Sequence, residues 1–121
     1  MNNNGIFVTG VTVLVNFLIS GMLAYVIGSF SSSIMLSYWL HTPDIRTLGS
    51  GNAGATNVYR NHGMSAGIIA LLSDCFKTLL AIFIAQMLGI KGALLALIGL
   101  IIILGHCYPI FHHFKGGKGV A

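Results

Sequence analysis

No Asp, Glu, Lys or Arg occurs before Asp44, and this limits the fold more than any other feature. The stretch 6–40 carries no permanent charge and exceeds the roughly 20 mostly apolar residues that a transmembrane helix needs. A cleavable leader accounts for it poorly. Residues 1–5 contain no Lys or Arg, and the apolar run is longer than an h-region of about 7–15 residues. Charged side chains make up only 7% of the 121 residues, against roughly 25% in soluble domains. Such a surface has to face lipid or other protein. The expected fold is all-α: a polytopic transmembrane helix bundle forming one membrane domain over 1–121.

Three spans can be drawn, at about 6–30, 64–88 and 92–111. Only Gly89, Ile90, Lys91 and Gly92 separate the last two, which makes those helices antiparallel neighbours. Two polar segments remain, 41–63 and 112–121. With three spans they share one side of the bilayer, together with Arg46, Arg60, Lys115 and Lys118, while the other side holds Lys91 and the neutral stretch MNNNG. The positive-inside rule then puts both polar segments in the cytoplasm and the N-terminus outside. The net charge of +4 is spread between apolar spans, so it fits membrane orientation and anionic substrates rather than nucleic acid. Cys75 and Cys107 form no CxxC pair and are expected to be small buried thiols.

The segment 49–60, GSGNAGATNVYR, is the richest in chemistry. Gly49, Gly51 and Gly54 permit positive φ and close backbone approach to a ligand, and successive N–H groups can form an anion-binding nest. Ser50, Asn52, Thr56 and Asn57 add side-chain donors, and Arg60 adds a planar fork suited to phosphate oxygens. A short helix starting at Ala55 would also favour an anion at its N-terminus. The competing reading is a flexible linker between two spans. The second segment, FKGGKGV at 114–120, again alternates glycines with cations but lacks the GxxxxGK[ST] spacing of a nucleotide loop. Lys115 and Lys118 could equally anchor a helix at anionic headgroups, although Gly116, Gly117 and Gly119 are not needed for that.

Asp74 and Lys77 share one helix face at i,i+3, about 15 Å into the second span. Ionisable groups at that depth usually pair or face a wet cavity, and an internal ion pair that fixes helix packing is the preferred reading. His106 stands at the end of the third span, with a hydrogen bond within the bundle as its simplest role. His106, His112 and His113 have no Cys or carboxylate at ligand spacing, so no metal site is expected.

DIRTLGSGNAGATNVYR at 44–60, followed by GHCYPIFHHFKGGKGVA at 105–121, closely resembles the first two signature motifs of the bacterial PlsY-type glycerol-3-phosphate acyltransferase family. The resemblance covers essentially the whole chain. It implies an inner-membrane enzyme of about seven spans that moves a fatty acyl group from acyl phosphate to the sn-1 hydroxyl of glycerol 3-phosphate. The product is lysophosphatidic acid, a phospholipid precursor, and no cofactor is involved. Carried onto matching positions, it implies that Gly51, Asn52, Ala53, Gly54, Ala55 and Thr56 hold the acyl-phosphate head. Ser50, Arg60 and Lys118 would bind glycerol 3-phosphate, with Gly116, Gly117 and Gly119 letting the loop close. Asn57, His106, Lys115, Asp74 and Lys77 would support the site.

Departures are plain. Gly28-Ser29-Phe30-Ser31 lacks the proline of the family's GS-x-P element, and Ser73 to Thr78 keeps only Asp74 and Lys77 of LD-x-x-KG. The family's third motif does not occur within these residues, so a C-terminal half is expected to follow and the 121 residues alone are expected to be inactive. Two other readings stand beside the enzyme: a truncated non-catalytic membrane protein, and a fragment of an organophosphate transporter, although the internal symmetry common among transporters is not detectable.

Overall fold

The computed structural model describes residues 3–117, and all regular structure among them is helical. Helix α1 (Asn3–Ser29) is followed by α2 (Ser32–Trp39), α3 (Ala55–His62), α4 (Met64–Met87) and α5 (Ala93–Cys107), with 3-10 turns at Ile45–Thr47 and Ile110–His112. Among the described residues three segments are long and apolar enough to cross a membrane: Asn4–Trp39, Met64–Met87 and Ala93–His112. At 1.5 Å per residue, α4 is about 36 Å long, enough for a hydrocarbon core of about 30 Å.

The first apolar stretch is broken where its serines cluster. Ser29 turns its hydroxyl back to the Tyr25 carbonyl at 2.8 Å, a bond that competes with helix propagation. Ser31 then caps α2, its Oγ accepting from the Ile34 amide at 3.2 Å.

Small residues set the helix spacing. A Cβ on Gly105 would lie 2.5 Å from the Tyr25 carbonyl oxygen and 3.0 Å from the Ser29 nitrogen, and a Cβ on Gly28 would strike the Ile102 carbonyl. Backbone-to-backbone approach of this kind lets α1 and α5 pack by dispersion where water supplies no driving force. The side of α4 turned inward carries Ala66, Gly67, Ala70, Lys77, Ala81 and Ala85, a helical spacing. Cys75 lies off that stripe and is exposed, contrary to the buried thiol expected; Cys107 is half-buried. Asn16 in α1 donates 3.1 Å to the Leu88 carbonyl at the end of α4, satisfying a group the helix leaves open.

A second cluster anchors the polar segment. Ile45, Ala53 and Val58 are fully buried with Ile34, Leu36, Ala55, Ala66 and Ala70. The connection between α2 and α3 is therefore a packed element with its own apolar anchors, which argues against a loose linker.

Candidate functional site

The first glycine-rich loop is organised around Asn57, buried in the first turns of α3. Its Nδ2 donates to the carbonyls of Leu48 at 2.9 Å, Asn52 at 3.0 Å and Ile45 at 3.1 Å. Its Oδ1 accepts from Asn61 Nδ2 at 2.9 Å and from the Ser50 amide at 3.3 Å. One amide side chain thus serves five partners. The chain can wrap it because Gly49 (φ +52°) and Gly51 (φ +76°) adopt left-handed conformations. A side chain at Gly49 would also collide with Asn57 and Asn61.

Residues 51–56 follow as one run into α3, the short helix expected from Ala55. Gly54, its N-cap, provides no side-chain cap, so the first amides of the helix lack that partner. Ser50 and Thr56 are exposed, and the Ser50 hydroxyl accepts 3.4 Å from the Asn52 amide. Arg60 lies one turn beyond Thr56 on the same exposed face of α3.

The second loop doubles back on α5. Beyond Pro109 and the 3-10 turn, His113 (φ 58°) and Phe114 (φ 60°) are both left-handed, an uncommon state for residues with a Cβ. The reversal brings the amides of Gly116 and Gly117 to the carbonyls of Cys107 and His106, at 3.0 and 3.1 Å, filling acceptors at the helix end. Both glycines have a packing requirement. A Cβ on Gly116 would meet the His106 carbonyl and Pro109, and one on Gly117 would meet the His106 ring at Nε2. Lys115 is exposed. Lys118 and Gly119, both expected in the site, lie outside the described residues.

Two struts tie these parts together. The outer one is Arg46, which the sequence reading used only for orientation. It holds Asp44 in a fork, Nε to Oδ1 at 3.0 Å and Nη2 to Oδ2 at 2.6 Å, while Nη1 donates to the carbonyls of His112 at 2.7 Å and Lys115 at 3.0 Å. The hydrogen bonds from Arg46 hold the Asp44 carboxyl below its ordinary range, and the same bonds raise the Arg46 guanidinium. The Asp-x-Arg spacing at 44–46 was the available signal. A carboxylate two residues from a guanidinium orients that fork while leaving a nitrogen free to reach elsewhere.

The inner strut is Lys77. Its Nζ lies 3.0 Å from the Gly28 carbonyl, 2.9 Å from that of Phe30, 3.1 Å from His106 Nδ1 and 3.4 Å from Asp74 Oδ1. The expected Asp74–Lys77 pair is formed, and it also closes the break between α1 and α2 and reaches α5. A cavity of about 400 Å³ opens beside it, lined by Asp74, Lys77, Thr78, Ile102 and His106 among others. Arg46 thus ties the turn at 45–47, just before the first glycine-rich segment, to the carbonyls of His112 and Lys115 beyond α5.

The family model described as glycerol-3-phosphate acyltransferase matches residues 18–121. The glycerol-3-phosphate acyltransferase of Coxiella burnetii (strain Dugway 5J108-111) is 47% identical over 105 residues, covering 87% of this chain and 54% of the relative. That of Photobacterium profundum is 48% identical over 110 residues, covering 91% and 53%. Among solved structures, the glycerol 3-phosphate form of PlsY (YgiH), an integral membrane glycerol 3-phosphate acyltransferase, superposes with a TM-score of 0.77 at 40% identity, covering 86% of this chain and 52% of that one. Its lysophosphatidic acid form gives 0.74 at 36% identity, covering 85% and 50%. The chain spans about half the length of the relatives it matches. Sequence and fold agree that this multi-pass membrane chain belongs to the glycerol-3-phosphate acyltransferase family.

Proposed function

We propose that this chain supplies the two substrate-binding loops of an acyltransferase that moves a fatty acyl group from acyl phosphate to the sn-1 hydroxyl of glycerol 3-phosphate. The observation that supports this reading is the Arg46 strut, which ties the turn leading into the first glycine-rich loop to the carbonyls of His112 and Lys115 at the second. Two anionic head groups repel each other, and backbone donors with fixed cations offset that repulsion. In this reading residues 51–56 take the acyl-phosphate head, while Ser50, Arg60 and Lys118 take glycerol 3-phosphate at the turn of Gly116, Gly117 and Gly119. Asn57, His106, Lys115, Asp74 and Lys77 support them.

The hydroxyl oxygen attacks the acyl carbonyl carbon, the bond from that carbon to the phosphate oxygen breaks, and inorganic phosphate departs. A phosphate oxygen of the substrate takes the hydroxyl proton. Acyl phosphate is already activated, so positioning supplies much of the acceleration and no protein nucleophile is needed. The membrane is the bacterial inner membrane. The chain forms one domain with three spans at about 6–30, 64–88 and 92–111, its glycine-rich loops cytoplasmic and its N-terminus outside, as the distribution of Lys and Arg directs.

The test is a chimera in which residues 1–121 replace the matching half of the Photobacterium profundum relative, purified into liposomes. Lysophosphatidic acid is expected from acyl phosphate and glycerol 3-phosphate and not from the coenzyme A thioester, and residues 1–121 alone should give none. A well-folded chimera that uses the thioester as readily, or that passes through a covalent acyl-enzyme, overturns the reading.

A further inference from the structure

The contacts around Lys77 determine more than helix packing. A lysine ammonium has three donors and no acceptor. Three acceptors surround Nζ within 3.1 Å, the carbonyls of Gly28 and Phe30 and the Nδ1 of His106, and the Asp74 carboxylate at 3.4 Å offsets its charge. Two donors cannot face one another at this distance, so Nδ1 of His106 accepts. The ring proton then sits on Nε2. That atom faces Gly117, where a Cβ would collide with it, and it has no hydrogen-bond partner among the described residues.

We propose that Lys77 is a positioning residue. By donating to Nδ1 it locks His106 as the Nε2–H tautomer and aims that N–H at a substrate phosphate held by the second glycine-rich loop. The identity of the ligand, though not the tautomer, rests on the acyltransferase reading above. Locking a histidine tautomer through its second nitrogen is a general means of orienting a donor. It also excludes His106 as a general base at Nδ1, since Lys77 occupies that lone pair.

The tautomer can be read directly from ¹⁵N-histidine spectra of the full chain in nanodiscs, with His106 assigned through His106→Gln. A single Nε2–H form with a hydrogen-bonded, unprotonated Nδ1 is expected. Lys77→Met alone would strand the Asp74 carboxylate, so the variant to use is Asp74→Asn with Lys77→Met, which removes both buried charges together. In it the His106 signal should relax to a mixture of tautomers. An Nδ1–H form in the wild type, as a neutral Lys77 accepting from the ring would give, overturns the proposal, as does an unchanged signal in the double variant. In the chimera the same pair of substitutions should raise the KM for glycerol 3-phosphate about tenfold or more with a smaller change in kcat, the loss expected when a donor to a charged group is misplaced. An unchanged KM removes the assignment to phosphate. A parent chimera that makes no product overturns the acyltransferase reading and with it the ligand, while the tautomer spectra still decide the role of Lys77.

Discussion

Arg46 donates from Nη1 to the main-chain carbonyl of His112 at 2.7 Å, across 66 residues of sequence and between the 3-10 turns that precede the two glycine-rich loops. The companion bond to the Lys115 carbonyl at 3.0 Å brackets the two left-handed residues between them. Charge-assisted bonds contribute about 1.5–3 kcal/mol each, less where solvent screens them. Arg46→Ala should therefore raise hydrogen exchange at Gly116 and Gly117 about tenfold or more while leaving α4 protected. Unchanged exchange in the segment after α5 would show that the strut bears no load.

Acid should release the same strut. The Asp44 carboxyl is held below its ordinary range by its hydrogen bonds to Arg46. A depressed carboxyl pKa contributes stability that is present above the unfolded value and lost as pH falls through the folded one. Protection of Gly116 and Gly117 should hold at neutral pH, begin to fall just below the ordinary carboxylate value of about 3.9, and be lost once the pH passes the lowered one. Asp44→Asn should abolish this acid step. An identical acid profile in wild type and variant would assign the step to another group.

Two glycines of α5 should respond in opposite directions. Gly105 has the Tyr25 carbonyl 2.5 Å from where a Cβ would sit, whereas Gly99 has nothing within 4 Å. Gly105→Ala should destabilise the bundle by about 1–3 kcal/mol through overpacking. Gly99→Ala should stabilise it by up to about 1 kcal/mol through helix propensity. Unfolding titrations in mixed micelles measure both, and equal shifts would contradict the close crossing of α1 and α5.

The spans and the tight connection at 89–92 were readable because each depends on local composition: apolar run length and glycine placement. The Asp74–Lys77 pair was readable because i,i+3 spacing fixes its geometry. Arg46 was not, since its partners are backbone carbonyls 66 and 69 residues away and no side-chain pattern encodes a carbonyl. The reach of Lys77 to His106 was hidden for a related reason. It requires α1 to break at Ser29–Ser31, which opens carbonyls that draw the ammonium inward. The exposure of Cys75 depended on which face of α4 turned inward.

Arg60 and Lys118 carry the proposed glycerol-3-phosphate contacts. Arg60 stands exposed on α3, one turn beyond Thr56, so its removal should disturb the fold little. In the chimera, Arg60→Ala and Lys118→Ala should each lower kcat/KM for glycerol 3-phosphate by about tenfold to a hundredfold, the loss expected when a buried anion loses a charged partner. Near-wild-type kinetics in both would remove these residues from the site.

The side of the membrane on which the loops lie follows from charge, and it can be tested with single cysteines. Ser50 belongs to the loop between α2 and α3, while Lys91 lies in the turn between α4 and α5, at the far end of a helix about 36 Å long. With Cys75 and Cys107 replaced by serine and alanine, Ser50→Cys and Lys91→Cys should react with an impermeant maleimide from opposite faces. Lys91→Cys should be labelled in intact spheroplasts and Ser50→Cys only after the membrane is opened, because Arg46, Arg60, Lys115 and Lys118 all favour the cytoplasmic side. Labelling of both positions from one face would separate the turns from the span count. Reversed labelling would keep the bundle and overturn its orientation.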